Sequence, residues 1–118
     1  MCELFAISSR LPATVSLSLE TLAEHGGGSA PHADGDTLFV QADQRYQQDG
    51  GTRPPGLHML NRRCRAPRET VSGGGVSVTS DIQAVTLLAS VPLTDEDWQP
   101  LPKNTILVLS QGEVVARA

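Results

Sequence analysis

Residues Ala84 to Val91 form a run that is nearly all apolar and rich in β-formers. That is the pattern of a strand covered on both faces, and it marks the centre of a sheet. Hydrophobic residues make up 39% of the chain but aromatics only 3%, so a core has to be built from Val, Leu, Ile and Ala. Sheet packing suits that inventory. At 118 residues the chain is long enough for one real core and too short for two.

Leu4 to Ser9 reads as a first strand, with Phe5 and Ile7 on one face and Leu4 and Ala6 on the other, stopped by Leu11-Pro12. From Val15 to His25 the period changes. Val15, Leu19, Leu22 and Ala23 recur at helical spacing, and Gly26-Gly27-Gly28 would end a short amphipathic helix. Ser29 to Asp36 is broken by Pro31 and Gly35 and reads as a polar loop. Thr37 to Asp43 then alternates, with Leu38, Val40 and Ala42 facing one way. Arg45 to Pro55 is a polar excursion, after which Leu57 to Arg63 is expected to pair back on the Thr37 strand. Gly73-Gly74-Gly75 reads as a loop entering a strand at Val76 and Val78. Asp95-Glu96-Asp97 lacks the ligand spacing of a calcium loop and reads as a solvated turn. Ile106 to Leu109 and Glu113 to Ala116 flank Gln111-Gly112 as a closing hairpin. The expected fold is α+β: a mainly antiparallel sheet with one short N-terminal helix.

The net charge of -4 and pI of about 5.2 argue against nucleic acid as a partner. Arg53, Arg62, Arg63, Arg65 and Arg68 crowd one stretch and suggest either an anion contact or a solvated basic edge; no aromatics interleave for base stacking. Cys2 and Cys64 are too few for a disulfide framework and lack zinc-site spacing, which fits a reducing cytoplasm. No leader or membrane-span pattern is present, so no membrane association is expected. His25, His32, Asp34 and His58 match no metal-ligand interval, and neither a metal nor a cofactor is implied. Cys64, among arginines, is either a reactive thiol or a residue without a role.

Met1-Cys2 adds a specific possibility. Aminopeptidases remove Met before small residues, and Cys2 would then carry a thiol and a free α-amine of pKa about 7.7 to 8.0, nucleophile and base in one residue. The alternative is a small residue opening a buried strand.

Met1-Cys2-Glu3-Leu4-Phe5, Glu24-His25-Gly26-Gly27-Gly28 and Pro31-His32-Ala33-Asp34-Gly35 together resemble the start of class II glutamine amidotransferases, the N-terminal-nucleophile hydrolases, in their short stand-alone bacterial branch. Thr86 to Thr94, Trp98 and the terminal hairpin resemble the end of the same proteins. In the family the His-x-Asp-Gly loop runs on into Trp-Gly and a long central region. Here Gly35 is followed at once by Asp36-Thr37-Leu38-Phe39. The chain is therefore expected to be one internally shortened domain, residues 1–35 giving the nucleophile strand, helix and loop, and 36–118 the C-terminal strands. The resemblance implies a remnant of a layered αββα sandwich. It also implies Cys2 as catalytic nucleophile, His32, Asp34 and Gly35 beside the substrate, and glutamine or another γ-glutamyl amide as substrate. The family's carboxylate-holding arginine and its Asn-Gly oxyanion pair have no match here. The other expectation is an inactive remnant that self-associates through exposed strand edges.

Overall fold

The computed structural model describes residues 4–11, 13–17, 30–33, 37–47, 49–64, 69–73, 76–80 and 82–118. Among them are thirteen strands and no helix. In chain order they are β1 (Phe5–Ser9), β2 (Ala13–Leu17), β3 (Ala30–Ala33), β4 (Thr37–Gln41), β5 (Arg45–Tyr46), β6 (Thr52–Arg53), β7 (His58–Cys64), β8 (Glu69–Gly73), β9 (Val76–Ser80), β10 (Gln83–Ala89), β11 (Gln99–Pro100), β12 (Ile106–Ser110) and β13 (Glu113–Arg117). They form sheets of order β1-β10-β7-β11, β13-β12-β4-β3, β2-β9-β8 and β5-β6, antiparallel at every pairing.

The apolar run settles where its pattern requires. β10 lies between β1 and β7, and it is buried from Val85 to Ala89. One face of its sheet joins the β13-β12-β4-β3 sheet across a core of Met59, Leu88, Leu38, Val40, Leu107 and Leu109, with Leu4 and Ala6 at its margin. The opposite face collects Leu60, Val85, Leu87 and Ala89 with Trp98, Phe5 and Ile7. Each fully buried Leu or Val contributes about 1.5 to 3 kcal/mol relative to exposure. The two-faced reading of Leu4 to Ile7 holds, as does the burial of Leu38, Val40 and Ala42.

The α+β expectation does not hold. Val15 and Leu17, the supposed start of a helix, lie in β2 opposite Val78 and Val76. Ala13 to Leu17 alternates as well as it repeats helically, and a short helix has a costly nucleus, so an available ladder on β9 decides the conformation. The rest of that segment, 18–25, lies outside the described residues. The loop expected from Ser29 contains β3, which pairs only with β4; Pro31 fits there because an edge strand has a side on which no N–H is needed. Gly73, read as loop, is the last residue of β8. Leu57 to Arg63 does form a strand, but it pairs with β10 and β11, while β4 pairs with β12 and β3. The polar excursion, which holds the small β5–β6 hairpin, carries the chain from one sheet to the other.

The terminal hairpin fastens the two sheets together. Gln111 and Gly112 both have positive φ, 52° and 87°, as a two-residue turn between twisted strands requires. The Gly112 N–H donates to Ser8 Oγ at 3.0 Å, and its carbonyl accepts from Thr86 Oγ1 at 2.7 Å. A Cβ here would run into the Ala84 carbonyl oxygen. Gly112→Ala therefore combines an unfavourable φ with overpacking against backbone, and should cost about 2 kcal/mol or more in urea unfolding; an unchanged midpoint would show that the turn does not dock as described.

Candidate functional site

The chain enters β1 through Leu4, and a single residue holds it there. The Leu4 N–H donates to Ser90 Oγ at 3.0 Å, and its carbonyl accepts from the Ser90 N–H at 3.1 Å. Ser90 is buried directly after β10, and its carbonyl lies 3.2 Å from His58 Nδ1. A carbonyl only accepts, so Nδ1 carries the proton and Nε2 keeps its lone pair. His58 opens β7, opposite Ala89 in one ladder and Pro100 in the other. Burial pushes its pKa below the ordinary 6.5; the Ser90 hydrogen bond opposes this, and the charge of Arg45 adds to it.

Arg45 is the anomalous residue of this end. It is only 7% exposed, and its Nε has no hydrogen-bond partner. A buried polar atom without a partner is costly and calls for an explanation. The first described residue, Leu4, thus leads into an end of the sandwich that gathers Ser90, a neutral-leaning imidazole and a buried arginine whose Nε is unsatisfied. Sequence reasoning weighed His58 only within a metal set that it set aside, and passed over Ser90 and Arg45. Ser90 had a visible signal, as a hydroxyl inside an apolar run; Arg45 had none, because a polar excursion gives no hint that one member turns inward.

The sequence candidates distribute differently. Cys2, Asp34, Gly35 and His25 lie outside the described residues, as do Arg65 and Arg68. His32 is on β3 opposite Phe39, the middle residue of β4. Cys64 is buried in the second apolar cluster, a place for a small hydrophobe and not for an accessible thiolate. Among the described arginines of the crowded stretch, two have separate acidic partners. Arg53 pairs with Asp49 at 2.6 Å and holds that carboxyl below its usual range, while Arg62 pairs with Glu96. Thr94 Oγ1 accepts from Trp98 Nε1 at 3.0 Å, so the acidic turn is built around a buried indole. Among the described residues, no group of His, Cys, Asp or Glu is arranged to hold a metal ion. Nor is any helix among them long and apolar enough to cross a membrane.

No family model matches the sequence, and no curated protein matches it. Among solved structures, the 2.0 Å crystal structure of a predicted glutamine amidotransferase from Pseudomonas aeruginosa PA01 is similar, at 24% identity and a TM-score of 0.53. The likeness is one of fold. It covers 75% of this chain and 33% of that one, so this chain spans about a third of its neighbour's length.

Two outcomes test the geometry. Ser90→Ala leaves the partly buried Leu4 N–H without its acceptor; it should cost about 1 kcal/mol and speed amide exchange in β1. For His58, a depressed folded-state pKa means that the unfolded chain binds more protons in acid. Its contribution is therefore complete above about pH 6.5 and lost as the pH falls through the folded value. Unfolding midpoints followed from about pH 7.5 down to 5 should fall less steeply in His58→Gln than in the parent.

Proposed function

We propose that the protein is a glutamine amidotransferase of class II, releasing ammonia from the side-chain amide of glutamine or a related γ-glutamyl amide through Cys2. The observation that carries this reading is the anchoring of Leu4 at the polar end of the sandwich, two residues after Cys2. Leu4 is two residues from Cys2 in sequence, and its tether at Ser90 supports the reading for that reason. The fold likeness and the Met-Cys start support the same assignment.

In this mechanism removal of Met1 frees the α-amine. The amine accepts the thiol proton as Sγ attacks the amide carbon, and the resulting tetrahedral oxyanion collapses with transfer of that proton to the departing ammonia. Water then hydrolyses the thioester to glutamate and restores the thiol. Arg45 supplies the positive charge that a substrate carboxylate needs at this end. The family's oxyanion pair has no counterpart in the sequence, and loss of one such donor costs about 100 to 1,000-fold, so turnover should be slow. This reading leaves Cys2 alone in bond making, with His32, Asp34 and Gly35 beside the substrate as the resemblance implies.

Ammonia and glutamate release from glutamine should therefore vanish in Cys2→Ala and persist in Cys64→Ala, with His32→Ala costing less than the roughly 100-fold of a lost transition-state donor. Intact mass should show Met1 absent. Equal turnover by the parent and Cys2→Ala removes Cys2 from the mechanism. A second reading, an inactive assembly module, is favoured by the exposed apolar side chains Phe39 and Ile106 on the outer face of the β13-β12-β4-β3 sheet. Light scattering separates the two: a monomer that releases ammonia contradicts the assembly reading.

A further inference from the structure

A second polar feature lies at the other end of β1, where no step of the proposed chemistry takes place. β1 runs into a turn whose amides, Arg10 N–H and Leu11 N–H, both donate to Gln83 Oε1, at 3.1 and 2.8 Å. Gln83 Nε2 in turn donates to the Leu11 carbonyl at 3.0 Å and to Ser80 Oγ at 2.5 Å. Gln83 is buried, and its amide group is saturated by these bonds, which makes it a rigid clamp that fixes the backbone from which Arg10 projects. The facing wall is the β12–β13 turn, itself locked by Gly112 on Ser8 and Thr86.

Between these two walls lies a groove of about 630 Å³. That is within the range of small-molecule sites, roughly 300 to 1,000 Å³. Arg10 and Arg63 both line it, with Glu113, and a hollow of about 360 Å³ on its flank is lined by Arg63, Ala84 and Glu113 as well. Among the described residues of the arginine stretch, Arg53 and Arg62 are in ion pairs and Arg63 is not. The groove also displays Ile82 and Val115, 55% and 60% exposed, beside the charges. Two guanidiniums and two exposed aliphatic side chains on walls held rigid from behind are complementary to one kind of molecule.

We propose that this groove binds a small organic oxyanion carrying an apolar body, its carboxylate or phosphate head on Arg10 and Arg63 and its body against Ile82 and Val115. Glu113 disfavours a second negative charge on the same ligand and sets a preference for monoanions. The site is independent of Cys2.

The test is an amide-shift titration of the whole chain with phenylacetate, phenyl phosphate and the uncharged phenylethanol. Saturable shifts at Arg10, Leu11, Ile82 to Ala84 and Gln111 to Val115 are expected for the anions. Arg10→Ala and Arg63→Ala should each weaken binding about three- to tenfold, and the pair together more. Roughly 1 M salt, which shortens screening to about 3 Å, should weaken it as well. Glu113→Gln should tighten phenyl phosphate, and the ratio of the two anions identifies the preferred head group. Both arginines are exposed, so the variants should keep the parent's spectrum away from the groove, and Cys2→Ala should bind as the parent does. The proposal is overturned by equal binding of phenylethanol, by shifts centred on Leu4, His58 and Ser90, or by no saturable shift up to about 10 mM.

Discussion

Burial of β10 on both faces is the constraint on which the rest of the structure depends. A strand with Val85, Leu87 and Ala89 on one side and Leu88 on the other requires hydrogen-bonded neighbours along each edge and apolar layers above and below. β1 and β7 meet the first requirement, and the β13-β12-β4-β3 sheet meets half of the second. The polar residues of β10 are then forced to work. Thr86 receives the docked hairpin turn, and Ser90, just past the strand, receives Leu4.

Those two hydroxyl contacts sit at opposite ends of β1 and give the molecule two chemically distinct ends. At one, Ser90 links the entering chain to His58, with Arg45 held in a poorly solvated place beside it. At the other, saturated Gln83 and conformationally demanding Gly112 hold two rigid walls apart, with charge lining the space between. Short, fully paired polar networks in a mostly aliphatic scaffold fix position in a way that apolar packing alone does not. The same scarcity of aromatic residues that makes the core a sheet core leaves such networks to set the geometry.

Legibility in the sequence followed the range of the interaction. The alternation in β4, the two faces of β1, the covered run in β10 and the turn at Gln111-Gly112 were all readable, because each depends on residues close in sequence. The β2 assignment failed because a five-residue segment compatible with either period is decided by its partner, β9, more than sixty residues along the chain. Failure to read β3 has the same origin: Pro31 is an obstacle inside a sheet but acceptable on an edge, and nothing local says which position a strand will occupy. For the candidate site, Cys2 was conspicuous as chemistry; Ser90, His58 and Arg45 became a group only when β10, β7 and β5 converged.

The sequence by itself determined an aliphatic, mainly antiparallel chain with a central covered strand, a closing hairpin and a thiol next to its first residue. Those properties follow from composition, period and turn chemistry, which act over a few bonds. Tertiary structure alone decided that β7 would leave β4 for β10, that Arg45 would be buried with its Nε unsatisfied, and that Arg63 and Arg10 would line one groove. The physical reason is that pairing partners and burial are settled by competition among distant segments for the same edges and the same core.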